Sequence, residues 1–272
     1  MPRGVGLNWI YDEARLQGRL WTPDLLHPEL YVDALANNVL DSSGFVTIPN
    51  LGSLGSSFSR GGIASTKQFI FPQNGLPCFY KDNIDAFGYP LGITYSLQPA
   101  SGFSAYFFGA TALGPYMMNL SQFNITNSVL LGANITGDFP IGLFEGGWRS
   151  RLLSTQTSLD NRRVIMSQRK NSSSSSSFID TYLSDYRTAT IRESIVCSSF
   201  LAPATTVGFL AHLNHQSSPV TSSKCFAVLH FQRMLSDYED DLILGWGAWR
   251  FSYQDILPVT HPFVNRPPFI GD

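Results

Sequence analysis

Hydrophobic positions in this chain gather into short runs divided by glycine, proline, serine and asparagine. The run Phe103-Ser104-Ala105-Tyr106-Phe107-Phe108 can fill both faces of a strand. Arg163-Val164-Ile165-Met166-Ser167, Ile191 to Cys197 and Val207 to Leu213 are of the same kind. The clearest run is Cys225-Phe226-Ala227-Val228-Leu229-His230-Phe231, preceded by the polar stretch Ser217 to Lys224 and followed by a helix start. Runs of this length, rich in aromatic and β-branched residues and bounded by turn formers, predict many antiparallel strands. Such strands pack as a sandwich or a barrel, so the expected class is all-β.

One segment near the end breaks the pattern. Ser236-Asp237-Tyr238-Glu239 fits a capping box, in which serine and glutamate each satisfy an orphan backbone donor. Asp237, Glu239, Asp240 and Asp241 crowd the first turn, where the helix dipole favours negative charge, and capping accounts for that acidic cluster. Tyr238, Leu242, Trp246 and Trp249 fall on a single apolar stripe of a short helix over about 237–250. Gly245 and Gly247 would each cost this helix about 1 kcal/mol relative to alanine. They are therefore expected where the helix lies hard against a neighbouring backbone. Beyond it, Leu257 to Phe263 and Arg266-Pro267-Pro268 suit neither helix nor central strand, and an extended proline-rich C-terminal strap is expected.

The Ser172 to Ser177 run, flanked by Arg169, Lys170 and Asn171, reads as a flexible hairpin tip. Residues 1–21 form an N-terminal leader whose Trp9-Ile10-Tyr11, Leu16, Leu20 and Trp21 are too apolar for a free tail. Two readings stand for it: an arm that docks on a partner or another subunit, or a segment packed on its own domain. Residues 22–272 are then expected to make a single domain.

Composition narrows the function. The chain has 272 residues, with 18 Lys+Arg against 20 Asp+Glu and a formal net charge of -2. No basic excess exists to neutralise phosphates, so no nucleic-acid partner is expected. No apolar run approaches the roughly 20 residues needed to span a bilayer, so no membrane insertion is expected. Met1 to Asn8 lacks the apolar stretch and cleavage site of a secretory signal, and the protein is expected to fold where it is made. Cys78, Cys197 and Cys225 are far apart without a CxxC pair, which fits buried free thiols better than a disulfide framework or a zinc site. Only 14% of residues are charged, against roughly 25% in an ordinary soluble domain. Arginine outnumbers lysine, and tyrosine-rich stretches such as Tyr182 to Tyr186 have the composition of permanent interfaces. A constitutive homo-oligomer is expected, with a trimer as the candidate.

Two stretches carry a resemblance. Thr22-Pro23-Asp24-Leu25-Leu26-His27-Pro28-Glu29-Leu30-Tyr31-Val32-Asp33-Ala34 resembles the opening strand of LamG-like, concanavalin A-type jelly-roll domains in phage and bacterial surface proteins. Ile48 to Gly55 stands where that family has a glycine-rich turn, and Gly75-Leu76-Pro77-Cys78-Phe79-Tyr80 where it has a later strand. At the other end, Phe226 to Phe231 followed by Arg233-Met234-Leu235-Ser236-Asp237-Tyr238-Glu239 is similar to the family's last strand and its "Arg-x-Leu-Ser-x-x-Glu". Gly245-Trp246-Gly247-Ala248-Trp249, Leu257 to Phe263 and Pro267-Pro268 are similar to its closing motifs. The resemblance implies an antiparallel, jelly-roll-like β-sandwich closed by its terminal strands. Ile48, Asn50 and Leu51 replace the aromatic and acidic residues usual in the glycine-rich turn, so no calcium or sugar site of relatives is carried over.

Candidate chemistry is sparse. Sandwich glycosidases need two carboxylates across the sugar, often spaced as Glu-x-Asp-x-x-Glu, and no such spacing occurs. Glu145 and Glu193 stand alone. His212 and His215 lie at odd separation on a strand-like segment and point to opposite faces, so with His230 they make a poor metal set. His261 is expected to tie down the strap by a hydrogen bond. Gly146-Gly147-Trp148 and Gly61-Gly62 lack the rest of a phosphate loop. The glycosylation-type triplets at Asn119, Asn124, Asn134 and Asn171 carry no meaning without a secretory route. No catalytic residue, metal site or cofactor is expected, and no ligand-binding residue is assigned.

The resemblance implies a non-enzymatic bacteriophage virion structural protein. In this expectation it is a tail-fibre or adsorption component on the virion surface, folded in the host cytoplasm before assembly. It would attach through its leader to other virion proteins and present the sandwich to host surface glycan. A capsid decoration (cement) protein clamping coat subunits is the alternative, and a carbohydrate-binding lectin or glycosidase the second.

Overall fold

The computed structural model describes the backbone of residues 20–36, 47–55, 57–61, 66–70, 74–81, 89–94, 102–110, 118–121, 128–131, 141–144, 148–151, 163–171, 176–183, 193–196, 206–209 and 224–272. Side chains are described at 20–36, 48–55, 57, 74–79, 102–110, 163–169, 171 and 224–272. The strands are β1 (Leu30–Asp33), β2 (Thr47–Pro49), β3 (Ser57–Gly61), β4 (Thr66–Ile70), β5 (Pro77–Lys81), β6 (Tyr89–Thr94), β7 (Phe103–Ala110) and β8 (Met118–Ser121). They continue as β9 (Ser128–Leu131), β10 (Ile141–Phe144), β11 (Trp148–Arg151), β12 (Arg163–Lys170), β13 (Ser176–Leu183), β14 (Glu193–Val196), β15 (Thr206–Phe209) and β16 (Lys224–Phe231). The helix α1 (Asp237–Arg250) comes after β16.

One eight-stranded sheet runs β14-β13-β12-β7-β16-β5-β4 with β1 also on β16, and the other runs β11-β10-β9-β8-β15-β6-β3-β2. Neighbouring strands are antiparallel throughout both sheets. The sheets approach each other where β12, β13 and β14 meet β9, β10 and β11. The molecule is an all-β antiparallel sandwich with one C-terminal helix.

The aromatic run Phe103 to Phe108 and the run ending at Phe231 form the two middle strands of the first sheet, and all eight positions of both β7 and β16 are buried. Burial of both faces is why neither strand alternates between polar and apolar residues. One face contributes Tyr106, Phe108, Ile165 and Leu229 to a core shared with Trp246 of the helix and with Phe251 and Tyr253 just past its end. The outer edge of β16 is divided. β5 pairs with it at Lys224 and Cys225, and β1 takes over from Ala227 to His230. The opening and closing strands of the resemblance are therefore direct neighbours.

The capping box forms. Glu239 donates its backbone N–H to the Ser236 hydroxyl at 3.3 Å, and Ser236 donates its own to the Glu239 carboxylate at 2.9 Å. Arg233 grips the same carboxylate with two donors at 2.9 and 2.7 Å, which holds its pKa down at about 2. Three expectations for this region need correcting. The helix carries no single stripe: every residue from Leu242 to Ala248 is buried, while Tyr238 is 47% exposed. Its middle lies between the sheet on one side and the C-terminal segment on the other, which leaves only the first turn in solvent.

The two helix glycines face aromatic rings and not a backbone. A Cβ on Gly245 would come within 2.6 Å of the Phe263 side chain, and one on Gly247 would overlap the Phe108 ring. Nor do residues beyond the helix run extended. They fold through a 3-10 turn at Gln254–Ile256 and then through turns closed by His261 N–H to Pro258 and Val264 N–H to His261 carbonyls. Proline excludes helix and strand here, and reverse turns satisfy the remaining donors.

At the other end of the chain, Leu20 and Trp21 are buried, Leu20 bridges Phe269, and Trp21 donates its N–H to the Pro268 carbonyl at 3.1 Å. These last two leader residues pack on the sandwich itself, and the rest of the leader lies outside the described residues. Ser176 and Ser177, expected in the hairpin tip, belong to β13, which pairs with β12, and Ser172 to Ser175 lie outside the described residues. Among the described residues, no helix is long and apolar enough to cross a membrane.

Candidate functional site

A cleft of about 290 Å³ opens where β1, α1 and two turns converge. Its first wall is the 3-10 turn Pro23–Leu26, which starts at a proline suited to the first helical position and ends at His27 with φ 52°. This turn supplies Asp24, and Thr22 stands just before it. The second wall is the turn from Asn50 to Gly55, which supplies Leu51. Asn50 fixes that turn through all its capacity. Its side-chain carbonyl accepts from the backbone N–H of Tyr31 at 2.8 Å and of Gly52 at 3.0 Å. Its amide donates to the carbonyls of Glu29 at 3.0 Å and Gly55 at 2.9 Å. A side chain on Gly52 would collide with the Glu29 carbonyl, so only glycine lets the turn lie flush on the strand entry.

The floor comes from β1 and α1. Tyr31 and Trp246 pack edge to face with centroids 5.9 Å apart. Asp33 is buried and accepts from the Tyr31 hydroxyl at 3.2 Å, from Leu35 N–H at 2.8 Å, and from Arg250 Nε and Nη2 at 3.3 and 3.2 Å. Arg250 lies in the last turn of α1, where a cation is also favoured by the helix dipole. Asp24 and Ala36 are exposed at the mouth. The arrangement offers hydrogen-bonding groups and small apolar surfaces on fixed elements. Among the described residues no group of three or more His, Cys, Asp or Glu could hold a metal.

The candidates from sequence fall elsewhere. His230 is buried against Phe103 with centroids 6.3 Å apart, and burial lowers its pKa to about 3, so it is neutral at physiological pH. His261 does tie down the segment after the helix. Its Nδ1 accepts from Phe263 N–H at 3.2 Å and its Nε2 faces the Asp241 carboxylate at 3.6 Å. Cys78 and Cys225 are free and buried, and desolvation raises the Cys78 pKa to about 12. The acidic cluster does more than cap. Asp240 is buried, accepts from the Tyr106 hydroxyl at 2.7 Å and lies 3.3 Å from Arg169 Nε, while Arg169 also reaches Asp237 at 2.9 Å.

Glu145, Gly62, Gly146, Gly147, Cys197, His212, His215, Asn124 and Asn134 lie outside the described residues, as do Ser184 to Tyr186. Gly61, Asn119, Trp148, Tyr182 and Glu193 are placed by their backbone on β3, β8, β11, β13 and β14, and Asn171 is exposed just after β12. Sequence reasoning missed the cleft because its residues come from three distant parts of the chain.

The fold and site together define an all-β antiparallel sandwich with a small polar cleft at the junction of its first strand and its helix. No protein-family model matches the chain, and no curated protein matches it. Among solved structures, a Trypanosoma rangeli sialidase in complex with difluorosialic acid is similar with a TM-score of 0.39 and 8% identity, over 84% of this chain and 33% of that one. The same sialidase in complex with sialic acid gives 0.39 and 8%, over 93% and 39%. A tail fibre protein of an E. coli phage gives 0.28 and 17%, over 50% and 15%. The chain thus spans well under half the length of each.

Proposed function

We propose that this chain is a non-enzymatic structural protein of a tailed-phage virion surface, a tail-fibre or adsorption component that presents its sandwich to host surface glycan. One observation carries the reading. The residues that resemble LamG-like phage domains at the two ends of the chain converge into one closing unit. β1 lies on β16, Arg233 and Glu239 pair at the helix start, and Trp246 packs on Tyr31. The non-enzymatic part rests on the cleft. In its support, Asp33, one of the two cleft carboxylates, is held by Arg250, Tyr31 and a backbone N–H, an arrangement that favours a structural role for it over that of a general acid or base. In this reading the leader joins the protein to other virion components, and the low charge of the chain reflects contact with further copies of itself.

Copy number and position on the particle test the proposal. Labelled protein at the tail, a few copies per particle, and binding of the intact protein to host cells are the expected results. Hundreds of copies on the head, with capsids weakened when it is stripped, would replace the adsorption role by that of a decoration protein. Light scattering of a stable, fully folded monomer on dilution would remove the constitutive oligomer.

A further inference from the structure

We infer that the cleft between the Pro23–Leu26 turn, β1, the Asn50 turn and the last turn of α1 binds one hexopyranose unit, uncharged or amino-substituted, and rejects acidic sugars. The inference rests on the host-glycan reading above and names the place and the class of sugar. Size is the first argument. A volume of about 290 Å³ lies at the lower edge of the roughly 300–1,000 Å³ usual for small-molecule sites, so it holds a single ring and not a chain of them.

Charge is the second argument. The cleft holds two carboxylates and one guanidinium, and the guanidinium faces Asp33 through Nε at 3.3 Å and Nη2 at 3.2 Å. Asp24, exposed at the mouth, is held only by a long 3.4 Å hydrogen bond from the Thr22 hydroxyl among the described contacts of its side chain. An approaching ammonium or hydroxyl finds an acceptor there, and an approaching carboxylate finds a like charge.

Shape and rigidity complete the case. Leu51 and Ala36 line the same cleft as Asp24 and Thr22, so it combines the apolar contact that one face of a pyranose needs with groups that bind hydroxyls. Tyr31, Asp33 and Trp246 are buried and fixed by their mutual contacts, and Asn50 pins the Leu51 turn with four hydrogen bonds. A ligand therefore enters a cleft already in shape and is spared the cost of ordering it.

The test uses the full chain and saturation-transfer NMR with three probes: methyl α-mannoside, methyl glucosaminide and the methyl glycoside of sialic acid. Signals from the first two and none from the third are expected. Ala36→Trp, which fills the mouth from an exposed position, should abolish them. Asp24→Asn should lower affinity for the glucosaminide at least about tenfold, the worth of one hydrogen bond to a charged acceptor. Sialoside binding as strong as the others, or binding unchanged in Asp24→Asn, overturns the inference even if the tryptophan variant fails to fold. Host-cell binding that survives Asp24→Asn and Ala36→Trp refutes this cleft and leaves the adsorption role standing. Glycoside binding here without any host-cell binding does the reverse.

Discussion

Replacing Gly247 by alanine tests the packing of the helix against the sheet, because two effects of opposite sign compete there. Alanine is the better helix former by about 1 kcal/mol, so the substitution would stabilise an exposed helix. Gly247 lies inside α1, and a Cβ at that position would overlap Cε1 and Cζ of Phe108. The ring has no room to retreat, since Trp246 and Phe251 each pack against it with centroids 5.8 Å away and it is fully buried. Overpacking of a core costs about 1–3 kcal/mol, and an interlocked ring belongs at the upper end. The difference is a net loss of about 2 kcal/mol, or a fall in Tm of about 4–8 °C for a domain of this size. Calorimetry of Gly247→Ala, Phe108→Leu and the double variant measures it. In the Phe108→Leu background the alanine should be neutral or stabilising, a coupling of about 2 kcal/mol. If Gly247→Ala raises Tm in the otherwise unaltered protein, the close contact between helix and sheet is wrong.

Three further outcomes are expected. Asp240→Ala takes one of two carboxylates from the buried Arg169 and should cost about 3 kcal/mol in urea unfolding, the lower end for a broken buried pair because Asp237 remains, against about 1 kcal/mol for Tyr106→Phe, which removes one hydrogen bond to Asp240; equal effects would contradict the charge argument. His230 titrates near 3 when folded against 6.5 when free; its contribution to stability is full above pH 6.5 and is lost as pH falls toward 3, because only the unfolded chain takes up the proton in that window. His230→Gln should flatten the stability profile between those values, and an unchanged slope would refute the assignment. Thiol labelling of the native protein, mapped by mass spectrometry, should spare Cys78 and Cys225, since burial keeps both protonated; labelling before unfolding would mean that the first sheet opens.

The features legible in the sequence are local or periodic. The capping box is legible because Ser236 and Glu239 need only each other and the backbone between them. β7 and β16 are legible because a long apolar run bounded by polar residues leaves few alternatives to a buried strand. The helix stripe fails at Tyr238 because periodicity reports one covered face, whereas α1 is covered on two sides by groups remote in sequence. The same remoteness hides the role of Asp240. Its neighbours suggest capping, but its partners Tyr106 and Arg169 come from β7 and β12. The turns after the helix are not legible, because proline rules out helix without choosing between a straight path and a bent one. Only the contacts of His261, Phe263 and Phe269 make that choice.

The cleft and the closure of the sandwich share their parts, and this bears on function. Tyr31 and Asp33 belong to the strand that seals the edge of β16, and Trp246 and Arg250 belong to the helix that covers it. The interactions that close the fold are thus the ones that shape the floor of the site. A site on a loop tip could drift without harm to the core, but here any shift of the floor would break an ion pair and an aromatic contact in the core. Substitutions that leave the core intact are therefore confined to the rim, at Thr22, Asp24, Ala36 and Leu51, none of which is buried. A fixed floor with a replaceable rim lets specificity change one surface residue at a time while the scaffold stays closed. If the adsorption role proposed above holds, that division is what lets one scaffold meet different surface sugars.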